Sequence, residues 1–85
     1  MGLKLRIVSP EKVEFNGDVV SVTVPGQLGR FEVLQNHAPI ISSLLNGVVE
    51  YKTISGAYQL NISGGFIEVQ KNNVNICVEI AANEA

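Results

Sequence analysis

A chain that performs chemistry needs a nucleophile or base with an orienting partner, or a metal held by three or four ligands. The candidates here are few: one histidine, His37, and one cysteine, Cys77, forty positions further along. A hydrolytic triad would require His37 to meet Asp18 and a serine such as Ser42 or Ser43, yet no strained, glycine-flanked elbow marks either serine. A corner histidine whose ring nitrogens satisfy nearby backbone accounts for His37 with fewer assumptions. Cys77 lies between Ile76 and Val78 in a strand pattern rather than in a metal-ligand spacing, which describes a half-buried inert thiol. As the single cysteine it leaves no intrachain disulfide. The sequence therefore predicts no catalytic residue, no metal and no cofactor.

Two glycine patterns call for the same comparison. Gly26-Gln27-Leu28-Gly29 has the outline of a glycine loop that clamps single-stranded nucleic acid, but such a loop joins two helices beside a basic surface. This one joins two strand-like segments, and a glycine-enabled turn explains it. Gly64-Gly65 lacks the lysine and helix of a phosphate loop, so a bulge or a close backbone approach is the better reading.

Composition bounds the rest. Eighty-five residues make one domain near the lower size limit for a core without disulfides or metal, so stability leans on partners. With 46% hydrophobic and 16% charged residues the chain is not intrinsically disordered. No apolar run approaches the roughly 20 residues that cross a bilayer, which predicts a soluble protein with no direct bilayer insertion. A net charge of −2 with its six basic residues scattered argues against nucleic acid. The start of the chain has none of the three regions of a secretory signal, so an intracellular protein is expected.

The elements that must position these residues are read from alternation. Leu3, Leu5 and Ile7 make a first strand, ended by Ser9-Pro10-Glu11. Lys12 to Phe15 is a short second strand, Asn16-Gly17 a two-residue hairpin turn, and Asp18 to Val24 a third strand with Val20, Val22 and Val24 on one face. The stretch Pro25 to Pro39 organises the chain: a glycine turn, a short strand carrying Phe31 and Val33, and a corner at Asn36, His37 and Pro39. Ile40 to Leu45 reads as a strand covered on both faces or as one helical turn, the strand being favoured. Asn46-Gly47 repeats the hairpin signal and leads into a strand over Val48 to Ile54, after which Ser55-Gly56 turns the chain again. Ala57 to Ser63 and Phe66 to Lys71 follow, interrupted by Gly64-Gly65. Asn72-Asn73 turns into a closing strand with Val74, Ile76, Val78 and Ile80 on its inner face. The expectation is an all-β domain, a flattened sandwich or barrel of nine or ten short antiparallel strands over residues 1–80, with a frayed tail over 81–85. Val20, Val22, Leu60, Ile62, Ile67, Val69, Ile76 and Val78 are expected in its core.

Four stretches in this order carry a resemblance: Ile7 to Pro10 (IVSP), Val19 to Gly26 (VVSVTVPG), Gly26 to Pro39 (GQLGRFEVLQNHAP) and Ser63 to Val69 (SGGFIEV). Together they resemble the epsilon subunits of F-type ATP synthases. The resemblance implies a non-catalytic subunit of the central rotor, bound to the gamma subunit on one side and resting on the c-ring on the other. It further implies a peripheral place on the cytoplasmic face of a bacterial inner membrane. It assigns the ring contact to Gly29, Arg30, Phe31, Glu32, Asn36 and His37, and carries no residue over to the gamma-facing side. Two departures accompany it. Family members commonly continue into a helical hairpin that houses ATP binding, and nothing after Ile80 could form it, so no ATP binding is expected. An acidic residue is often seen in the family where Arg30 stands. The rival reading is a small β-barrel binding a ligand in an apolar interior, which a filled core would disfavour. An enzyme would need a cleft holding His37 with a carboxylate.

Overall fold

The computed structural model describes residues 2–81, and these contain strands and turns but no helix. Eight strands follow in order: β1 (Leu3–Val8), β2 (Val13–Val19), β3 (Ser21–Gly26), β4 (Gly29–Val33), β5 (Ile40–Leu44), β6 (Gly47–Thr53), β7 (Gly56–Gln70) and β8 (Asn73–Ile80). They run β2-β1-β8-β7-β5-β3-β4, with β6 bridging β3 and β7, so that one continuous hydrogen-bonded system folds over on itself. The result is a flattened body of 38 × 29 × 19 Å.

The fold-over depends on β7. Fifteen residues at about 3.3 Å each would reach nearly 50 Å if straight, more than the longest dimension of the domain. The strand bends at an irregularity between Ile62 and Gly64. Its first part pairs with β6 and its second part with β5. The two segments expected on either side of Gly64-Gly65 are thus one bent strand. The extra residue also resets the pleat, which is why Ile62 and Ile67, an odd number of positions apart, both point inward at 0% exposure.

Fifteen apolar side chains of the described residues are buried, from Leu3, Leu5 and Ile7 on β1 to Val74, Ile76 and Val78 on β8. Phe15, Phe31, Ile40, Tyr51 and Leu60 pack around them. Of the expected core, Val22, Ile62, Ile67, Val69, Ile76 and Val78 are buried, and Leu60 is half-buried. Val20 is not, at 56% exposure. The chain bends there between β2 and β3, so Val19, Ser21 and Val22 take the inward positions and Val20 is turned out.

Three further expectations are corrected. Asn16-Gly17 does not turn. Both lie inside β2, paired with Arg6 and Leu5, and neither is among the positive-φ residues. The ring of Phe15 folds over Gly17, where an added Cβ would sit 3.2 Å from Cζ, and meets Tyr51 at a centroid distance of 4.5 Å. Aromatic packing on a glycine outweighs local turn preference. Tyr58 stacks on Tyr51 at 5.5 Å, and burial first, then Tyr58 and Glu14, raises the Tyr51 phenol above its ordinary value. The connection from β1 to β2 is made instead at Ser9 to Lys12, where the Ser9 amide donates to the Lys12 carbonyl at 2.9 Å. The last tight turn sits one residue earlier than expected, on Lys71 and Asn72, both with positive φ. Finally, β1 and β8 pair in parallel, Leu5 beside Val74 and Ile7 beside Ile76, against the expectation of antiparallel pairing throughout. Ile40–Leu44 is a strand as favoured, with one face open: Ile41 is 76% exposed. The tail expected over 81–85 lies outside the described residues beyond Ala81, whose amide donates to the Asn61 carbonyl at 3.2 Å.

Candidate interaction surface

The turn Gly26-Gln27-Leu28-Gly29 joins β3 to β4 because each glycine meets a different constraint. At Gly26 a Cβ would fall 2.7 Å from the Phe31 ring and 2.8 Å from the Gly29 carbonyl oxygen, so the backbone must come close. Gly29 has a φ of 130° with open space around it, so its requirement is conformational. Pinned between them, Gln27 donates its amide to the Ser43 carbonyl at 3.1 Å, and Leu45 donates to the Pro25 carbonyl at 2.9 Å.

From Gly29 the chain runs along β4, whose strand partner among the described residues is β3. Val33 is buried in the core and Phe31 packs against it, while Arg30 and Glu32 are exposed. Arg30 Nη1 donates to the Val48 carbonyl at 2.8 Å. At the far end of β4 the corner from Leu34 to Pro39 is built on Asn36, whose φ of 68° is tolerated by asparagine. The Asn36 amide donates to Asn72 Oδ1 at 2.6 Å, and Asn72 Nδ2 donates back to Asn36 Oδ1 at 3.3 Å. His37 is half-buried. Its Nδ1 donates to the Ala38 carbonyl at 2.7 Å, and its ring lies 6.5 Å from that of Phe31.

The six expected contact residues therefore form a line and not a cluster. Gly29 and Arg30 belong to the end that holds the β3–β4 turn, Asn36 and His37 to the opposite end of β4, and Phe31 and Glu32 lie between. Sequence reading missed Asn72, which ties the corner to the β7–β8 turn; its place in a tight turn was legible, its partner was not. It also passed over Leu28 and Leu45, 103% and 51% exposed beside the glycine turn. Because Asn72 has a φ of 61°, Asn72→Gly should keep the turn and lose only the two bonds to Asn36. The expected result is a stability loss of about 1 kcal/mol with faster hydrogen exchange at the Asn36 amide, read by NMR; unchanged exchange would remove the corner's tie from the account.

The triad partners do not meet. Asp18 is paired with Lys4 at 3.1 Å, the Ser42 hydroxyl donates to the Ser43 carbonyl at 2.9 Å, and His37 is held by its own loop. Among the described residues no three His, Cys, Asp or Glu side chains gather as a metal site. Cys77 lines a shallow outer groove of about 390 Å³ with Val8, Pro10 and Phe66. Fifteen apolar side chains of the described residues are buried between the folded-over strands, which disfavours a ligand-holding barrel.

Eight strands folded over a shared apolar core, with polar groups spent on turns, define a β-sandwich domain. The family described as "ATP synthase, Delta/Epsilon chain, beta-sandwich domain" matches residues 2–84, and the chain belongs to that family. Among curated relatives, the ATP synthase epsilon chain of Leptospira interrogans is 38% identical over 80 residues, 94% of this chain and 63% of its own length. That of Nitratiruptor is 44% identical over 78 residues, covering 91% and 60%. The chain thus spans about three fifths of the length of these relatives. A chain in a cryo-EM structure of the Euglena gracilis mitochondrial ATP synthase with its c-ring matches at a TM-score of 0.87 and 25% identity, covering 95% of this chain and 52% of that one. A second, from the Tetrahymena thermophila central stalk and c-ring, matches in fold at a TM-score of 0.79 and 17% identity, covering 93% and 64%.

Proposed function

We propose that this chain is the β-sandwich of an ATP synthase epsilon subunit and serves as a non-catalytic part of the rotor, gripping the gamma subunit and resting on the c-ring so that rotation and proton flow stay coupled. The observation that carries the reading is the family match over residues 2–84, supported by epsilon chains that align with more than nine tenths of the chain. In this reading it lies peripherally on the cytoplasmic face of a bacterial inner membrane. The first test is capture of a matched gamma subunit by the purified chain, and failure to retain gamma at micromolar concentration would count against the assignment.

The ring contact is drawn from Gly29, Arg30, Phe31, Glu32, Asn36 and His37 and runs side-on along β4 rather than capping one end of the sandwich. Exposed charge pairs contribute about 0 to 1 kcal/mol each and weaken with salt, so a contact that transmits torque needs several of them together with the gamma interface. Single substitutions should be mild. Replacing Arg30, Glu32 and His37 together by alanine should leave the domain folded and gamma-bound, yet loosen it from the membrane sector and uncouple ATP hydrolysis from proton pumping in reconstituted vesicles. Normal pumping by the triple variant would sink the contact assignment.

A further inference from the structure

The β6–β7 hairpin closes on Thr53 opposite Gly56 through a two-residue turn. Tyr51, Val49 and Gly47 therefore exchange backbone bonds with β7, while Lys52, Glu50 and Val48 direct theirs toward β3. Lys52 and Glu50 meet Ser21 and Thr23 there. The pairing of β3 with β6 ends at Thr23 and Glu50; continued by two residues it would bring Pro25 opposite Val48, where proline has no N–H to give. On the other side of β3 the residue opposite Pro25 is Arg30. Its guanidinium reaches across β3 and donates to the Val48 carbonyl at 2.8 Å. A side chain of β4 thus supplies the donor that β3 lacks, at the place where β3 leaves β6 and pairs with β5 through Gly26 and Leu44. The next residues are the turn itself, with Leu28 fully exposed at its tip.

We infer that Arg30 is a positioning residue: by replacing the missing Pro25 donor at Val48 it ties β4, β3 and β6 together and fixes where the Gln27-Leu28 tip is presented to a partner. What the partner meets at this end is the tip, with the Arg30 charge already engaged. The inference goes beyond the rotor reading, in which Arg30 meets the ring directly, by giving Arg30 an indirect role in that contact, and it rests on the rotor reading only for its binding arm.

The test is a double-mutant cycle on the whole chain, because Pro25→Ala restores a backbone N–H without restoring charge. Arg30→Ala should speed hydrogen exchange at the Gln27 and Leu45 amides about five- to tenfold. In the Pro25→Ala background the same change should have less than about a twofold effect, while Arg30→Lys, which keeps a long donor, should rescue the single variant. Equal effects in both backgrounds overturn the tie. In the binding arm, the membrane sector reconstituted with gamma should hold the Arg30→Ala chain more weakly and recover with Pro25→Ala added. If binding stays lost in the double variant, the Arg30 charge is itself the contact and the positioning role is wrong. If the unaltered chain does not bind at all, the rotor reading fails, and the exchange cycle still decides the tie.

Discussion

Gly65→Ala is expected to cost the domain about 3 to 5 kcal/mol, adding backbone strain to overpacking. Gly65 sits on β7 opposite Val78 of β8. A Cβ there would overlap the Cys77 carbonyl oxygen and lie 2.9 Å from the Val78 Cα, both backbone atoms of the paired strand with no rotamer to yield. The φ of 151° is itself one that residues with a Cβ rarely adopt. Relief requires β8 to move off β7, and β8 also holds β1 in parallel, so the loss spreads to the pairing that joins the first and last strands. Domains of this size have roughly 4 to 13 kcal/mol in total, so the variant should be largely unfolded or should unfold at much lower urea. Gly64→Ala is the control: its Cβ would meet only the Leu44 carbonyl oxygen at 3.7 Å, an ordinary contact, and a change within about 1 kcal/mol is expected. Equal urea midpoints for the two variants would show that the close approach at Gly65 does not constrain the fold.

The second large effect is expected at Ile67. This side chain is fully buried on the second part of β7, flanked in the sheet by Ser42 on β5 and Ile76 on β8. Truncation to alanine removes three carbons and leaves a cavity that neighbours anchored on three hydrogen-bonded strands cannot collapse to fill, which costs about 3 to 4 kcal/mol. Ile41→Ala, on the adjacent strand and the opposite face, removes the same atoms from a side chain that is 76% exposed and should change stability by about 0.5 kcal/mol or less. A urea melt of both compares two identical deletions that differ only in burial. A similar cost for the two would contradict the assignment of the inner face of the β5–β7 sheet.

Much of this protein is determined by its sequence alone. Wherever a strand has one face in the core, alternation alone names the face: Leu3, Leu5 and Ile7 on β1, and Val74, Ile76 and Val78 on β8, are inward as their spacing requires, because the side-chain period of a strand admits no other solution once one face is apolar. Gly26 and Gly29 likewise announce the β3–β4 turn, because the constraints they answer are local. The family itself is legible because four motifs fall in order along most of the chain.

What only the tertiary structure decides are matters settled by partners distant in sequence. Asn16-Gly17 is the dipeptide most favoured in a two-residue hairpin turn and lies flat in β2, because the Phe15 ring packing over Gly17 onto Tyr51 outweighs a local preference. Val20 reads as core and turns outward because a bend between two strands, invisible to alternation, shifts the pleat by one. Parallel pairing of β1 with β8 joins residues about seventy positions apart and carries no local mark. The candidate contact follows the same division. Its residues were named from sequence, but their arrangement as a line along β4, with Asn36 tied to Asn72 and Arg30 bonded to the Val48 carbonyl, exists only once the strands have been brought side by side.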